Sequence, residues 1–597
     1  MDIHSMVAAT SRANQSCQHK LGNCSRTLHI GFFFDGVGRN VEQDAPKDRI
    51  SNIARLFRAF PDDKTNNDSA SVYYKKHYFS GLGTQFKDEV AEFFQSKMTK
   101  ALDDYQGGLP TDPKDAAKNF AQDALSGKSP KDTLIEMKNK LLSPTDRLKS
   151  LKDAYVGNVK KILLEATPWL RDTQIIAYNF VTGVDSRLSS AKARFDNSFK
   201  EASSRGQIPI KLISVSLFGF DLGGTLARQF IDMLLTDICK KSGDQYTYQS
   251  VPVDIIFTGL FDCSRDTPDS SNNGLDYAST AAAFIPRGIA KAVATVCSLF
   301  GRKYVDHMSP LPEKVKKSLH LVAAHERRPW RCIYRVGQNE QHREELMPGC
   351  SEDLGGGLKS DEQKPSAELS RVALNRMYRD AMMAGVPFPD LNSLYQTDVV
   401  VWSYFAMRDT VDKLTAAQWT TRYQSAVPLK SVTYQALNRH LDSYFEWLGA
   451  QYYQYRKRLR QLELLHSKIY SSAVSVNGML GVSSQAKCAA DDISEDIALL
   501  KKNWGWLEDV SDAAYQQLRN DAIPPPVYRE NVYEPACARA RYFIYCGGYG
   551  YRGEPAPLKW DSAPSEIYSW FVHDIQTLLD RDSITKEFFC IRWMEPH

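Results

Sequence analysis

Four carboxylates stand where apolar runs of this 597-residue chain stop. Asp35 follows Leu28–Phe34, Asp262 follows Val253–Phe261, Asp221 lies inside Gly219-Phe220-Asp221-Leu222-Gly223, and Asp353 lies in a glycine-rich loop. The setting of Asp221 (apolar strand, tight glycine turn, amphipathic helix) is that of a nucleophile elbow, G-x-S-x-G, with aspartate at the nucleophile position. The flanking glycines suit a turn that tolerates no Cβ. Two chemistries are open to such an aspartate. One is ester formation on the carboxylate followed by hydrolysis, which needs a histidine to activate water. The candidates are His320, His325, His342 and His573. His325, in Ala323-Ala324-His325-Glu326-Arg327-Arg328, is best placed, at the end of a strand, whereas His342 reads as solvated in a charged loop. The other is cation binding, if Asp35, Asp221, Asp262 and Asp353 approach within about 6 Å of each other. A simpler reading needs no ligand. Asp35 and Asp353 bond turn amides, Asp221 caps the following helix, and His325 bonds a nearby carbonyl. On that reading no metal and no cofactor is expected.

The elements that must carry these residues are legible from periodicity. Leu28–Phe34 is a short run apolar on both faces, the signature of a buried parallel strand. Ser51 opens a helix with Ile53, Leu56 and Phe57 on one face. Strands are expected at Ile175–Phe180, Lys211–Phe220, Val253–Phe261, Ser318–Ala324 and Cys332–Val336, with a strong helix from Gly223 to Leu235. This alternation predicts a mostly parallel, doubly wound α/β sheet built from residues 27–86 and 171–360. Residues 1–26 read as a flexible arm and about 87–170 as a helical insertion. Residues 361–597 read as a mostly helical region packing on the core, with helices at Ala367–Ala384, Tyr434–Glu463 and Ile493–Leu507.

Composition removes several classes of function. With 24% charged and 43% hydrophobic residues and a mean hydropathy of −0.42, the chain is ordinary for a globular protein. A net charge of +4 on 75 basic and 71 acidic residues, with no basic stripe, gives no nucleic-acid footprint. Eleven cysteines occur without a CxxC pair, which leaves a zinc ribbon unsupported and fits a reducing compartment. The first residues lack the apolar core of a Sec signal. The most apolar stretch, Ala281–Phe300, contains Pro286, Arg287 and Lys291, so it reads as a core or interfacial helix rather than a span.

Several segments together resemble the type VI secretion phospholipase-effector family, in its first lipase-effector subfamily. The opening motif FFDGTGNN is matched by Phe33-Phe34-Asp35-Gly36-Val37-Gly38-Arg39-Asn40, and the GvGT turn by Gly81-Leu82-Gly83-Thr84. The elbow GFSRGAxxAR is matched by Gly219 through Arg228, and GLFDTV by Gly259 through Ser264. The histidine loop PGxHSDxGGG is matched by Pro348 through Gly357, and a late HDS motif is similar to His573-Asp574-Ile575.

This resemblance implies an α/β-hydrolase domain acting on membrane phospholipid. It also implies a secretion spike or adaptor as carrier, a cognate immunity protein, and delivery from the bacterial cytoplasm by type VI machinery. Carried over residue by residue, the triad positions are Asp221, Asp262 and Ser351, and only Asp262 keeps the family's residue. The oxyanion hole falls on the amides of Leu222 and of the Gly36–Val37 loop, with Asp35, Asp353 and His325 lining the site. Ser-His-Asp catalysis needs a hydroxyl to attack and an imidazole to take its proton, so these residues are not expected to run it. The expectation is a pseudo-hydrolase that binds lipid or a partner. The alternatives are a hydrolase using Asp221 as nucleophile or metal ligand, and a decoy or inhibitor of a related effector.

Overall fold

The computed structural model describes residues 25–61, 71–84, 184–205, 208–265, 310–328, 331–358, 362–363, 365–475, 484–519, 526–549, 563–573 and 586–595. The expected insertion (87–170), the strand at Ile175–Phe180 and the apolar stretch Ala281–Phe300 fall outside the described residues. So does the arm up to residue 24.

Apolar runs with side chains on both faces form the centre of one sheet. The strands are β1 (Arg26–Phe34), β2 (Val72–Phe79), β3 (Ile210–Phe220), β6 (Val251–Phe261), β8 (Ser318–Ala323) and β10 (His342–Met347). They lie side by side in the order β10-β8-β6-β3-β1-β2, and every one of these pairings is parallel. A hairpin of β4 (Lys240–Ser242) and β5 (Gln245–Tyr248) adds antiparallel to β6. Arg26, assigned to the arm by sequence, is fully buried and opens β1.

Alternation along β1 shows why both faces are covered. Leu28, Ile30, Phe32 and Phe34 enter one core with Leu188 and Phe195 of α2 (Val184–Ser204) and Phe230 of α3 (Leu222–Met233). Phe33 enters the other, with Ile53 and Leu56 of α1 (Asn52–Ala59) and Met377 of α5 (Leu369–Met383). Ser51 caps α1, its hydroxyl accepting from the Ala54 amide at 3.1 Å. Helices on both faces of a mostly parallel sheet are the expected arrangement for βα alternation.

Three features depart from expectation. The edge strands β2 (VYYKKHYF) and β10 (HREELM) carry charge where a buried strand carries apolar residues, which hides them from a hydropathy reading. His342, expected in a solvated loop, opens β10, is 1% exposed, and bonds Ser318 Oγ at 3.0 Å through Nδ1. The strand near Cys332–Val336 forms, as β9 (Cys332–Tyr334), but outside the main sheet. It pairs antiparallel with β7 (Ser264–Arg265) and parallel with β13 (Met594–Glu595).

The C-terminal region is helical: α6 (Ala416–Ala426), α7 (Tyr434–Ser475), α8 (Ser484–Trp504), α9 (Trp506–Leu518), α10 (Glu534–Ile544) and α11 (Ala563–Trp570). These helices share a core with Val322, Ile333 and Leu346, so they pack on the β8–β10 side of the sheet. The helix expected at Tyr434–Glu463 runs on to Ser475, and the one expected at Ile493–Leu507 is two helices meeting at Gly505. Among the described residues no helix is long and apolar enough to cross a membrane.

Candidate active site

The elbow forms where β3 meets α3, and its glycines are needed there. A Cβ on Gly219 would lie 2.4 Å from the Gly224 Cα, and one on Gly223 would lie 2.4 Å from the carbonyl oxygens of Phe34 and Asp35. Asp221 sits at the apex with φ 54° and ψ −128°, a backbone conformation that costs a residue bearing a Cβ about 1–3 kcal/mol. Its amide donates to Phe261 O at 3.1 Å and its carbonyl accepts from Gly224 N at 3.0 Å. The side chain does not cap α3, contrary to the simpler sequence reading. It turns instead to Ser264 Oγ, which donates to Oδ1, and to Arg331 Nη2, 3.4 Å from Oδ2. β7 and the loop before β9 thus hold the elbow carboxylate from above the sheet.

Asp262, at the end of β6, is also in a left-handed conformation (φ 43°). Arg592, which precedes β13 and is itself fully buried, binds both its carboxylate oxygens, through Nη1 to Oδ2 at 2.9 Å and through Nη2 to Oδ1. The Ala323 amide donates to Oδ1 at 2.9 Å. The guanidinium and the amide together take three of the carboxylate's roughly four lone-pair positions. The small β7–β9–β13 sheet therefore brings three groups onto acids of the elbow region: Ser264 from β7, Arg331 from just before β9 and Arg592 from just before β13.

Ser351 opens the short helix α4 (Ser351–Gly355). Its amide donates to Glu326 Oε2 at 3.2 Å, and its fully buried Oγ finds no partner among the described residues. Around it lies an ion cluster that sequence reasoning missed. Arg328 pairs with Glu326 and with Glu352, each at 2.6 Å, and Arg331 reaches Glu352 at 3.4 Å. Arg39 lies 3.8 Å from Glu352 and donates to Gly357 O. Three guanidinium groups (Arg39, Arg328, Arg331) thus meet three carboxylates (Asp221, Glu326, Glu352), all buried, and Arg39 also faces Arg49, Asp35 and Asp44. Burial alone would raise the Glu326 pKa, but Arg328 and Arg331 hold it below the usual carboxylate range. Glu352 is held well below the usual range in the same way. Arg331 joins the parts: its side chain touches Asp221 and Glu352, and its carbonyl accepts from Arg592 Nη1 at 3.3 Å.

Asp35 bonds its turn amide, Gly36 N, at 2.8 Å, and accepts from Ser51 Oγ and Tyr78 OH, each at 2.6 Å. Burial pushes its pKa up to about 6 against these bonds. Gly36, expected to offer its amide to an oxyanion, spends it on Asp35. Val37 and Leu222 are both buried in the adjoining core. Asp353 accepts from Cys350 N and His573 N at 2.9 Å each, and pairs with His573 Nδ1 at 2.6 Å.

No imidazole bonds Asp221, Asp262 or Ser351 among the described residues. His320 Nε2 accepts from Cys263 N at 2.9 Å, and its Nδ1 lies 3.4 Å from Glu344. His325 Nδ1 accepts from the Gly349 amide at 2.9 Å, while its backbone amide, not the ring, donates to the Gly349 carbonyl at 3.0 Å, and Nε2 meets Tyr423 OH at 3.3 Å. Its ring packs among Tyr423, Tyr444, Tyr568 and His440. Burial holds its pKa well below the ordinary value, so the ring is neutral. Of the missed residues, Glu326 and Arg328 flank the His325 motif and carried a local clue. Arg331 and Arg592 carried none, because an isolated arginine in a loop reads as solvated.

No family model matches the chain, and no curated protein matches it. Among solved structures, an uncharacterized protein from Pseudomonas aeruginosa is similar in fold, with a TM-score of 0.52 and 14% identity over 99% of this chain and 82% of that one. The Tle1 effector bound to the VgrG spike of the type 6 secretion system aligns at a TM-score of 0.30, with 16% identity over 57% of this chain and 52% of that one.

Proposed function

We propose that this protein is an α/β-hydrolase-type relative of the type VI lipase effectors that has given up Ser-His-Asp chemistry and acts by binding lipid or a protein partner. Delivery by type VI machinery on a spike or adaptor, and neutralisation by an immunity protein, belong to the same reading. The ordered set of motifs from Phe33 to Gly357 supports the kinship. One observation supports the loss of activity: the carboxylates at two triad positions are bound by guanidinium groups, Asp221 by Arg331 and Asp262 by Arg592, with no imidazole bonded to either among the described residues. A carboxylate is also a poor acyl acceptor from an ester, because the anhydride formed is less stable than the ester attacked.

The test is a phospholipase A assay on the wild type, on Asp221→Ser, and on Asp221→Ser combined with Ser351→His, alongside labelling by a fluorophosphonate. We expect no wild-type turnover and no labelling at position 221. At most weak turnover is expected in the double variant, since Arg592 still holds Asp262 and the Glu326–Arg328–Glu352 cluster crowds position 351. Wild-type turnover that disappears in Asp221→Asn would overturn the proposal in favour of an aspartate- or metal-based hydrolase. Failure to bind anionic or zwitterionic vesicles, with retained binding to a related effector's partner, would favour the decoy.

A further inference from the structure

We propose that the elbow is an anion-binding site whose resident ligand is the chain's own Asp221 carboxylate, and that a small free carboxylate takes its place when that side chain is removed. This goes beyond the reading above and holds whether or not the protein turns over lipid. Two side chains build the site, beside the start of the twelve-residue helix α3, whose amides the Asp221 side chain does not bond. Ser264 Oγ, from β7, donates to Oδ1. Arg331 Nη2, from the loop before β9, lies 3.4 Å from Oδ2. Ser264 is 2% exposed, Arg331 5% and Asp221 1%, so the carboxylate is held as a buried ligand is held rather than solvated as a surface acid.

Charge and backbone point the same way. Loss of the Asp221 carboxylate takes from the buried Arg331 one of the two acids it pairs with, Asp221 and Glu352. A buried cation that loses an acid draws in an anion or shifts its neighbours. The φ of 54° at position 221 suits glycine better than aspartate, so Asp221→Gly relaxes the backbone while vacating the site. The group excised is CH₂–COO⁻, which is acetate less one hydrogen, so acetate is the matching ligand. In the wild type the tethered carboxylate is at high effective concentration and excludes free anions.

The experiment is thermal unfolding of full-length wild type, Asp221→Gly, and Asp221→Gly with Ser264→Ala, titrated with sodium acetate against sodium chloride at equal ionic strength. We expect a saturable rise in Tm of about 1–3 °C for Asp221→Gly in acetate, absent in the wild type and reduced in the double variant. Should Asp221→Gly be obtained only by refolding, acetate rather than chloride must raise its soluble yield. An equal response in the wild type, an equal response to chloride, or a response untouched by Ser264→Ala would each overturn the proposal. The lipase assay does not enter this test, so its outcome and this one are read separately.

Discussion

Asp35 titrates inside the first turn of the site, and the sign of its effect can be worked out. Burial raises its pKa from 3.8 to about 6, and the bonds from Ser51, Tyr78 and Gly36 only partly offset that rise. A carboxyl whose folded pKa lies above its unfolded value binds more protons when folded. Its contribution is therefore most favourable at acid pH and declines as pH rises from about 4 to about 6, then stays level. The two-unit shift corresponds to about 3 kcal/mol. Asp35→Asn keeps the shape and removes the titration. We expect the stability of Asp35→Asn relative to wild type to increase by about 2 kcal/mol between pH 4.5 and 6.5, measured by urea unfolding at several pH values. Curves that stay parallel across that window would rule the titration out. Asp35 was legible in the sequence because it ends an apolar run. The direction of its shift was not, because burial sets it against the bonds from Ser51 and Tyr78, and only the packed fold decides how deeply Asp35 is buried.

At the scale of elements, the elbow is a crossing of three backbones. β1 ends in Asp35-Gly36, β3 ends in Asp221, and α3 starts between them with Gly223 against the carbonyls of Phe34 and Asp35. A methyl at Gly223 meets two carbonyl oxygens at 2.4 Å, neither of which moves without shifting β1. Gly223→Ala should cost more than about 2 kcal/mol by overpacking. A surface control such as Gly243→Ala has open space around it and only its positive φ to set against it. Denaturant midpoints with constant slope are the measurement, and equal costs at the two glycines would refute the argument. The strand–turn–helix pattern at residues 211–235 was plain from periodicity, because a two-sided apolar run and a one-sided helical run cannot be confused there. The edge strands β2 and β10 were hidden, because an edge needs only one paired neighbour and tolerates the charges of Lys75, Lys76, Arg343 and Glu344.

Across the whole molecule, residues 588–594 stitch the C-terminal helices to the sheet. Phe588 and Phe589 enter the helical core, Met594 pairs with Ile333, and Arg592 reaches Asp262 across 330 positions of chain. Arg592→Met should cost about 3–5 kcal/mol, because it leaves Asp262 charged and buried without its partner. Asp262→Leu with Arg592→Met should cost less than Arg592→Met alone, since no charge is then stranded. Equilibrium unfolding of both variants decides it, and a double variant worse than the single would show that the pair stabilises by more than mutual neutralisation.

What the sequence determined by itself was local: which runs are apolar on two faces, where glycines permit a tight turn, and that an aspartate stands inside the glycine turn at 219–223. Those features follow from side-chain periodicity and residue chemistry, and need no knowledge of what lies across the fold. Tertiary structure alone decided what each acid meets. The Asp221–Arg331, Asp262–Arg592 and Asp353–His573 pairs join positions 110, 330 and 220 apart. No local pattern marks them, because an arginine in a loop has the same composition whether it faces solvent or a buried carboxylate. The packing of the small β7–β9–β13 sheet over the strand ends removes water from those charges and makes ion pairs of Asp221 and Asp262.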